Sequence, residues 1–101
     1  MESRFENDLE TTLENDLNEP PLYSVIILND DYTPFEFVIN VISHVFNKTM
    51  EESENIAITA NNNGHAVIDI YPKDIAETKT FTVTLLARQN NFPLKVIIEK
   101  N

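Results

Sequence analysis

The chain has 101 residues, enough for one small domain with a modest core. Lys and Arg number 7 against 17 Asp and Glu, a formal net charge of −10, and the pI is about 4.4. Nucleic acid and anionic membrane surfaces need clustered Lys and Arg and are excluded as partners, so basic or cationic ligands are favoured. Cysteine is absent, which removes disulfides and thiolate metal sites and fits a reducing compartment, read here as the cytoplasm.

Residues 1–21, MESRFENDLETTLENDLNEPP, read as a flexible acidic N-terminal extension ahead of a core domain at 22–101. The stretch is too acidic for a signal peptide, and no apolar run approaches a membrane span. Within it FENDL echoes LENDL, and Phe5, Leu9, Leu13 and Leu17 recur every four residues, the spacing of one helical stripe.

LYSVIIL at 22–28 is short, apolar and β-branched, which predicts a buried strand. Thr33, Pro34 and Glu36 then have the spacing of a capping box. Phe35, Val38, Val41, Ile42, Val45 and Phe46 follow at helical intervals. A second box, Thr49 to Glu52, opens a helix through Ile56, Ala57 and Ala60. It closes on Asn61-Asn62-Asn63-Gly64, where the chain's single glycine suits a left-handed cap. HAVIDIY at 65–71 predicts a strand, and Pro72 opens the next element. TKTFTVTL at 78–85 alternates like a strand, but its flanks PKDIAE and LLARQN are helix-like, and both assignments stay open. FPLKVIIEK at 92–100 predicts a last strand with Leu94, Val96 and Ile98 on one face. The order describes an α+β domain, a small sheet with helices packed on one face.

A lone glycine rules out a phosphate loop, and no nucleophile triad is signalled, so an enzyme is not expected. Asn29, Asp30, Asp31 and His65 lack the alternating ligands and central glycine of a calcium loop. His65 and Asp69 are expected on one strand face, but two residues are not a metal site, and none is expected. Asn29-Asp30-Asp31 can serve as a turn that caps the following helix or as a receptor for a cation.

LYSVIILNDDYTPFEFVINVI, Gly64, IAETK at 75–79, LAR at 86–88 and FPL at 92–94 resemble ClpS, a family of small adaptors of the Clp AAA+ protease. The likeness runs from about Leu22 to Glu99. It implies a three-stranded antiparallel sheet with three helices on one face, in the order strand, helix, helix, strand, helix, strand, with 73–90 helical. It also implies no cofactor, a monomer, and delivery of substrates bearing destabilising N-terminal residues to a ClpA- or ClpC-type unfoldase.

On this resemblance Asn29, Asp30 and Asn61 would receive the substrate's α-amine. Asp31, Thr33, Phe35, Val38, Ala57, Ala60 and Leu94 would wall a pocket for a first side chain of Leu, Phe, Tyr or Trp type. Tyr32, Asp74, Glu77 and Lys79 would face the unfoldase N-terminal domain. Three positions depart from the family pattern: Asn61 stands where histidine is usual, and Phe35 and Ala57 where methionine is. They motivate an alternative, a ClpS-like modulator that docks on the unfoldase with lost or altered cargo recognition. Asp30→Ala is expected to remove cargo binding and leave the fold intact.

Overall fold

A computed structural model describes residues 20–101; the extension, apart from Pro20 and Pro21, lies outside the described residues. β1 (Leu22–Leu28) leads to α1 (Phe35–Phe46) and α2 (Met50–Asn63). β2 (His65–Pro72), α3 (Lys73–Gln89) and β3 (Lys95–Lys100) follow. The strand order is β2-β1-β3, with β1 central and antiparallel to both neighbours. Val25 and Ile27 of β1, Ala66 and Ile68 of β2 and Val96 of β3 meet Val41, Ile42 and Phe46 of α1, Ala60 of α2 and Ala76, Val83 and Ala87 of α3 in one core. The helices therefore cover a single face. On the other, Leu22, Val67 and Ile70 are exposed. This is the expected α+β architecture.

α3 resolves the open segment as a helix. Ala76, Val83 and Ala87 are fully buried at helical spacing, and this small-residue stripe lay hidden beneath the alternation of threonine with larger apolar residues. The threonines do not oppose the helix, because Thr78 and Thr82 turn their hydroxyls back onto the carbonyls of Asp74 and Thr78, at 3.0 and 2.9 Å. Thr80 Oγ1 is buried and has no partner.

Three local expectations are corrected. At α1, Thr33 does not cap: the N-cap is Pro34, without a side-chain hydrogen bond, because the Thr33 hydroxyl donates to Asp30 instead. The Thr49–Glu52 box does form, with both reciprocal bonds made at 3.0 and 2.9 Å. β3 begins at Lys95, not Phe92. Asn91 adopts a φ of 63°, Phe92 donates its N–H to Ala87, and the Phe92 and Leu94 carbonyls accept from Arg88, so these groups are taken before a ladder can form. Finally, His65 and Asp69 lie on opposite faces. A bulge shifts the β1–β2 register between Val25 and Ile26, setting His65 opposite Leu28 but Asp69 opposite Val25, three residues away. Asp69 thereby reaches the helix side and pairs with Lys48 at 2.8 Å.

Candidate functional site

The site begins where β1 ends. Asn29 donates its N–H to the Gly64 carbonyl at 2.9 Å, which ties the strand exit to the end of α2. Gly64 holds φ at 90° and donates to Ala60 at 2.8 Å, a left-handed cap that a side chain would strain even though nothing stands within 4 Å of an added Cβ.

Asp30 organises the turn that follows. Its Oδ1 accepts from the N–H groups of Tyr32 and Thr33 at 2.7 and 2.8 Å, and its Oδ2 from the Thr33 hydroxyl at 2.8 Å. Partial burial pushes the carboxyl up, but those hydrogen bonds outweigh it and hold Asp30 below its ordinary value. The residue is thus an ionised turn-former. Oδ1 is saturated, and acceptor capacity remains on Oδ2. Asp30 makes the turn of the first reading, and one of its negative oxygens is left beside the cavity it lines.

That cavity, about 240 Å³, lies between β1, the first two helices and the segment before β3. Asn29, Asp30, Asp31, Thr33 and Asn61 give it polar oxygens. Phe35 and Val38 of α1, Ala57 and Ala60 of α2, and Leu94 supply apolar wall. All ten side chains expected around an amine and a side-chain pocket therefore meet at one cavity. Ile27 and Leu28 also line it and were missed by sequence reasoning, although they directly precede the Asn-Asp-Asp turn. The volume is below the roughly 300–1,000 Å³ of drug-sized sites and suits a single side chain. Ala57, Ala60, Leu94 and Ile27 are buried, so the floor is apolar, whereas Phe35 is 43 % exposed at the surface.

The other four expected residues lie elsewhere. Tyr32 projects into solvent, 80 % exposed. Asp74 and Glu77 are exposed on α3. Lys79 is committed: its ammonium donates to the Val45 carbonyl at 2.9 Å, near the C-terminal end of α1, and stands 5.8 and 5.4 Å from the rings of Phe46 and Tyr71. No group of three or more His, Cys, Asp or Glu that could hold a metal occurs among the described residues. No described helix is long and apolar enough to cross a membrane.

An α+β fold with a polar-rimmed, apolar-floored cavity at the end of its central strand is the frame of a small binding module. Residues 18–97 match the family model "ATP-dependent Clp protease adaptor protein ClpS". The chain is 42 % identical over 100 residues to the ClpS adapter of Treponema denticola, covering 99 % of each chain. It is 43 % identical over 91 residues to that of Helicobacter hepaticus, covering 90 % of this chain and 92 % of the other. A solved structure of Agrobacterium tumefaciens ClpS2 bound to L-phenylalaninamide superposes with a TM-score of 0.80 at 41 % identity, over 82 % of this chain and 100 % of that one. The chain belongs to the ClpS family of Clp protease adaptors.

Proposed function

We propose that the cavity binds the free N-terminal residue of a substrate protein, with its side chain bulky and hydrophobic, and that the adaptor then hands the substrate to a ClpA- or ClpC-type unfoldase. One observation carries this reading: an ionised carboxylate with a spare oxygen borders an apolar hole the size of one side chain. A chain terminus offers both complements. Its ammonium, with a reference pKa of about 7.7–8.0, is cationic at neutral pH. An acetylated or internal residue has neither that charge nor those donors. L-phenylalaninamide, the ligand of the Agrobacterium relative, carries a free α-amine and a benzyl group in the same molecule, which supports the assignment.

The division of labour follows from chemistry. Asp30 supplies charge, and Asn29 and Asn61 supply amide carbonyls that accept from an ammonium without titrating. The apolar walls hold the side chain. Burying Leu or Phe contributes roughly 1.5–3 kcal/mol, and a charged hydrogen bond about as much again. After association costs, an affinity near micromolar (~ −8 kcal/mol) results. Tyr32 and the exposed face of α3 with Asp74 and Glu77 would meet the unfoldase. Lys79, anchored to α1, contributes positive potential there rather than a free arm.

Fluorescence anisotropy with Leu-, Phe-, Tyr-, Trp- and Met-initiated peptides tests the reading, each paired with its N-acetylated form. The free hydrophobic termini should bind and the acetylated ones should not. Binding that ignores acetylation, or no binding by any peptide, would overturn cargo recognition and leave the modulator role.

A further inference from the structure

A second hollow opens beside the first. Phe35 and Val38 of α1 wall the cavity, and the residue after each, Glu36 and Ile39, lines a shallow groove of about 270 Å³ completed by Asn40 and Met50. The two hollows therefore lie on adjoining flanks of the same turns of α1. Glu36 and Asn40 are exposed, Ile39 is half-buried, and Met50, the first residue of α2, is 55 % exposed. The groove thus sets an aliphatic floor beside a carboxylate and an amide. No Lys or Arg lines either hollow, and α1 and α2 contain neither. Asp30, Asp31, Glu36 and the first-turn Glu51 and Glu52 of α2 make the surroundings acidic.

We infer that this groove receives the third and fourth residues of a bound substrate and favours Arg or Lys there. Such a use rests on the cavity being the seat of the first residue, as proposed above. Direction comes from burial. Ile27, Ala57, Ala60 and Leu94 close the cavity on the inside, while Phe35 is its exposed apolar wall, so the substrate chain leaves the mouth over Phe35. Reach comes from length. A helix with its side chains is about 10 Å across, and the second to fourth residues of an extended chain cover roughly 10 Å at ~3.3 Å each. The third and fourth therefore come level with Glu36 and Ile39 on the next flank. Chemistry selects the side chain. Arg or Lys lays its methylene stem on Ile39 and Met50 and brings its charged head to Glu36. Arg fits better, because its planar fork bonds both carboxylate oxygens and the Asn40 amide oxygen is a further acceptor. Asp or Glu at the same place meets the like charge of Glu36, with no base in either hollow to relieve it.

Fluorescence anisotropy at low salt tests this with three free-amine peptides on one labelled tail, beginning Phe-Ala-Arg-Arg, Phe-Ala-Ala-Ala and Phe-Ala-Glu-Glu. The Arg peptide should bind about threefold to fivefold tighter than the Ala peptide, the range of exposed charge pairs. The Glu peptide should bind more weakly than either. The Arg preference should vanish in Glu36→Gln and shrink in Met50→Ser. It should persist in Glu99→Gln, which removes one charge from the far end of β3. Equal affinities for the three peptides overturn the groove's role while first-residue recognition stands. A preference that survives both groove variants, or that Glu99→Gln abolishes as well, overturns it in favour of the chain's overall charge of −10. Should none of the three bind, the reading of the cavity falls and the groove's role falls with it.

Discussion

Asp30 is the residue on which turn and charge meet, and the two can be separated by substitution. Because its carboxylate holds Tyr32 and Thr33, Asp30→Ala loosens the turn as well as deleting the charge, so the expectation of an untouched fold does not stand. Asp30→Asn is the cleaner variant: its carbonyl still accepts from both N–H groups, while an NH2 replaces Oδ2, so the charge and the acceptor facing the Thr33 hydroxyl go together. Isothermal titration with a Phe-initiated peptide should show at least tenfold weaker binding for Asp30→Asn, about 1.4 kcal/mol, with the melting temperature nearly kept. Equal affinity would place the amine elsewhere. The pH profile follows from the same atoms. Asp30 stays ionised below its ordinary range and Asn61 does not titrate, so affinity should be flat from about pH 7 down to 5. It should fall roughly tenfold per unit above about pH 8, as the ligand's amine loses its proton. A loss centred between pH 6 and 7 would implicate a histidine instead.

At the scale of elements, Gly64 sets the relation between α2 and the exit of β1. Gly64→Ala must hold a residue with a Cβ at φ 90°, costing about 1–2 kcal/mol, and any relaxation drags the carbonyl that receives Asn29. Chemical denaturation should show that loss, with weaker peptide binding beside it. Thr49→Ala, far from the cavity in sequence, should cost about 1 kcal/mol of stability through its lost cap and leave binding alone. The boundaries of β1 and α2 and the Gly64 cap were legible because local signals acted undisturbed. α3 was ambiguous because its buried stripe is built from Ala, Thr and Val, residues that announce a core weakly. The Thr33 cap failed because Asp30, three residues back, competes for the same hydroxyl. The β2 bulge has no sequence signal at all, since it arises from pairing with β1. The cavity residues were legible only through the family's motif: composition alone favoured reading the aspartate cluster as a turn.

At the scale of the molecule, Asp30, Asp69 and Tyr71 each tie stability to pH. Burial pushes Asp69 up, but Lys48, the Ile70 N–H and Tyr71 together hold it below its ordinary value, as hydrogen bonds do Asp30. The stability these two carboxylates contribute is present above about pH 4, where unfolded aspartate ionises, and is lost as pH falls below it. Tyr71 runs the other way. Burial first, then the charge and hydrogen bond of Asp69, raise its phenol to about 12. The unfolded tyrosine ionises near 10, so its contribution is intact below about pH 10 and is lost as pH rises towards 12. Urea midpoints across pH should decline at both ends. Tyr71→Phe should flatten the alkaline decline, and absorbance at alkaline pH should show one phenol ionising near 12. An unchanged alkaline limb would disconnect Tyr71 from it.

Arg88 projects from α3 and grips the carbonyls of Phe92 and Leu94 at 2.8 and 3.1 Å, while the Leu94 side chain walls the cavity. One guanidinium therefore clamps a wall of the hollow to a helix on the molecule's flank. Were a ligand of α3 to rotate this clamp and so alter the hollow's affinity for a guest, the guest would alter that ligand's affinity by the same factor.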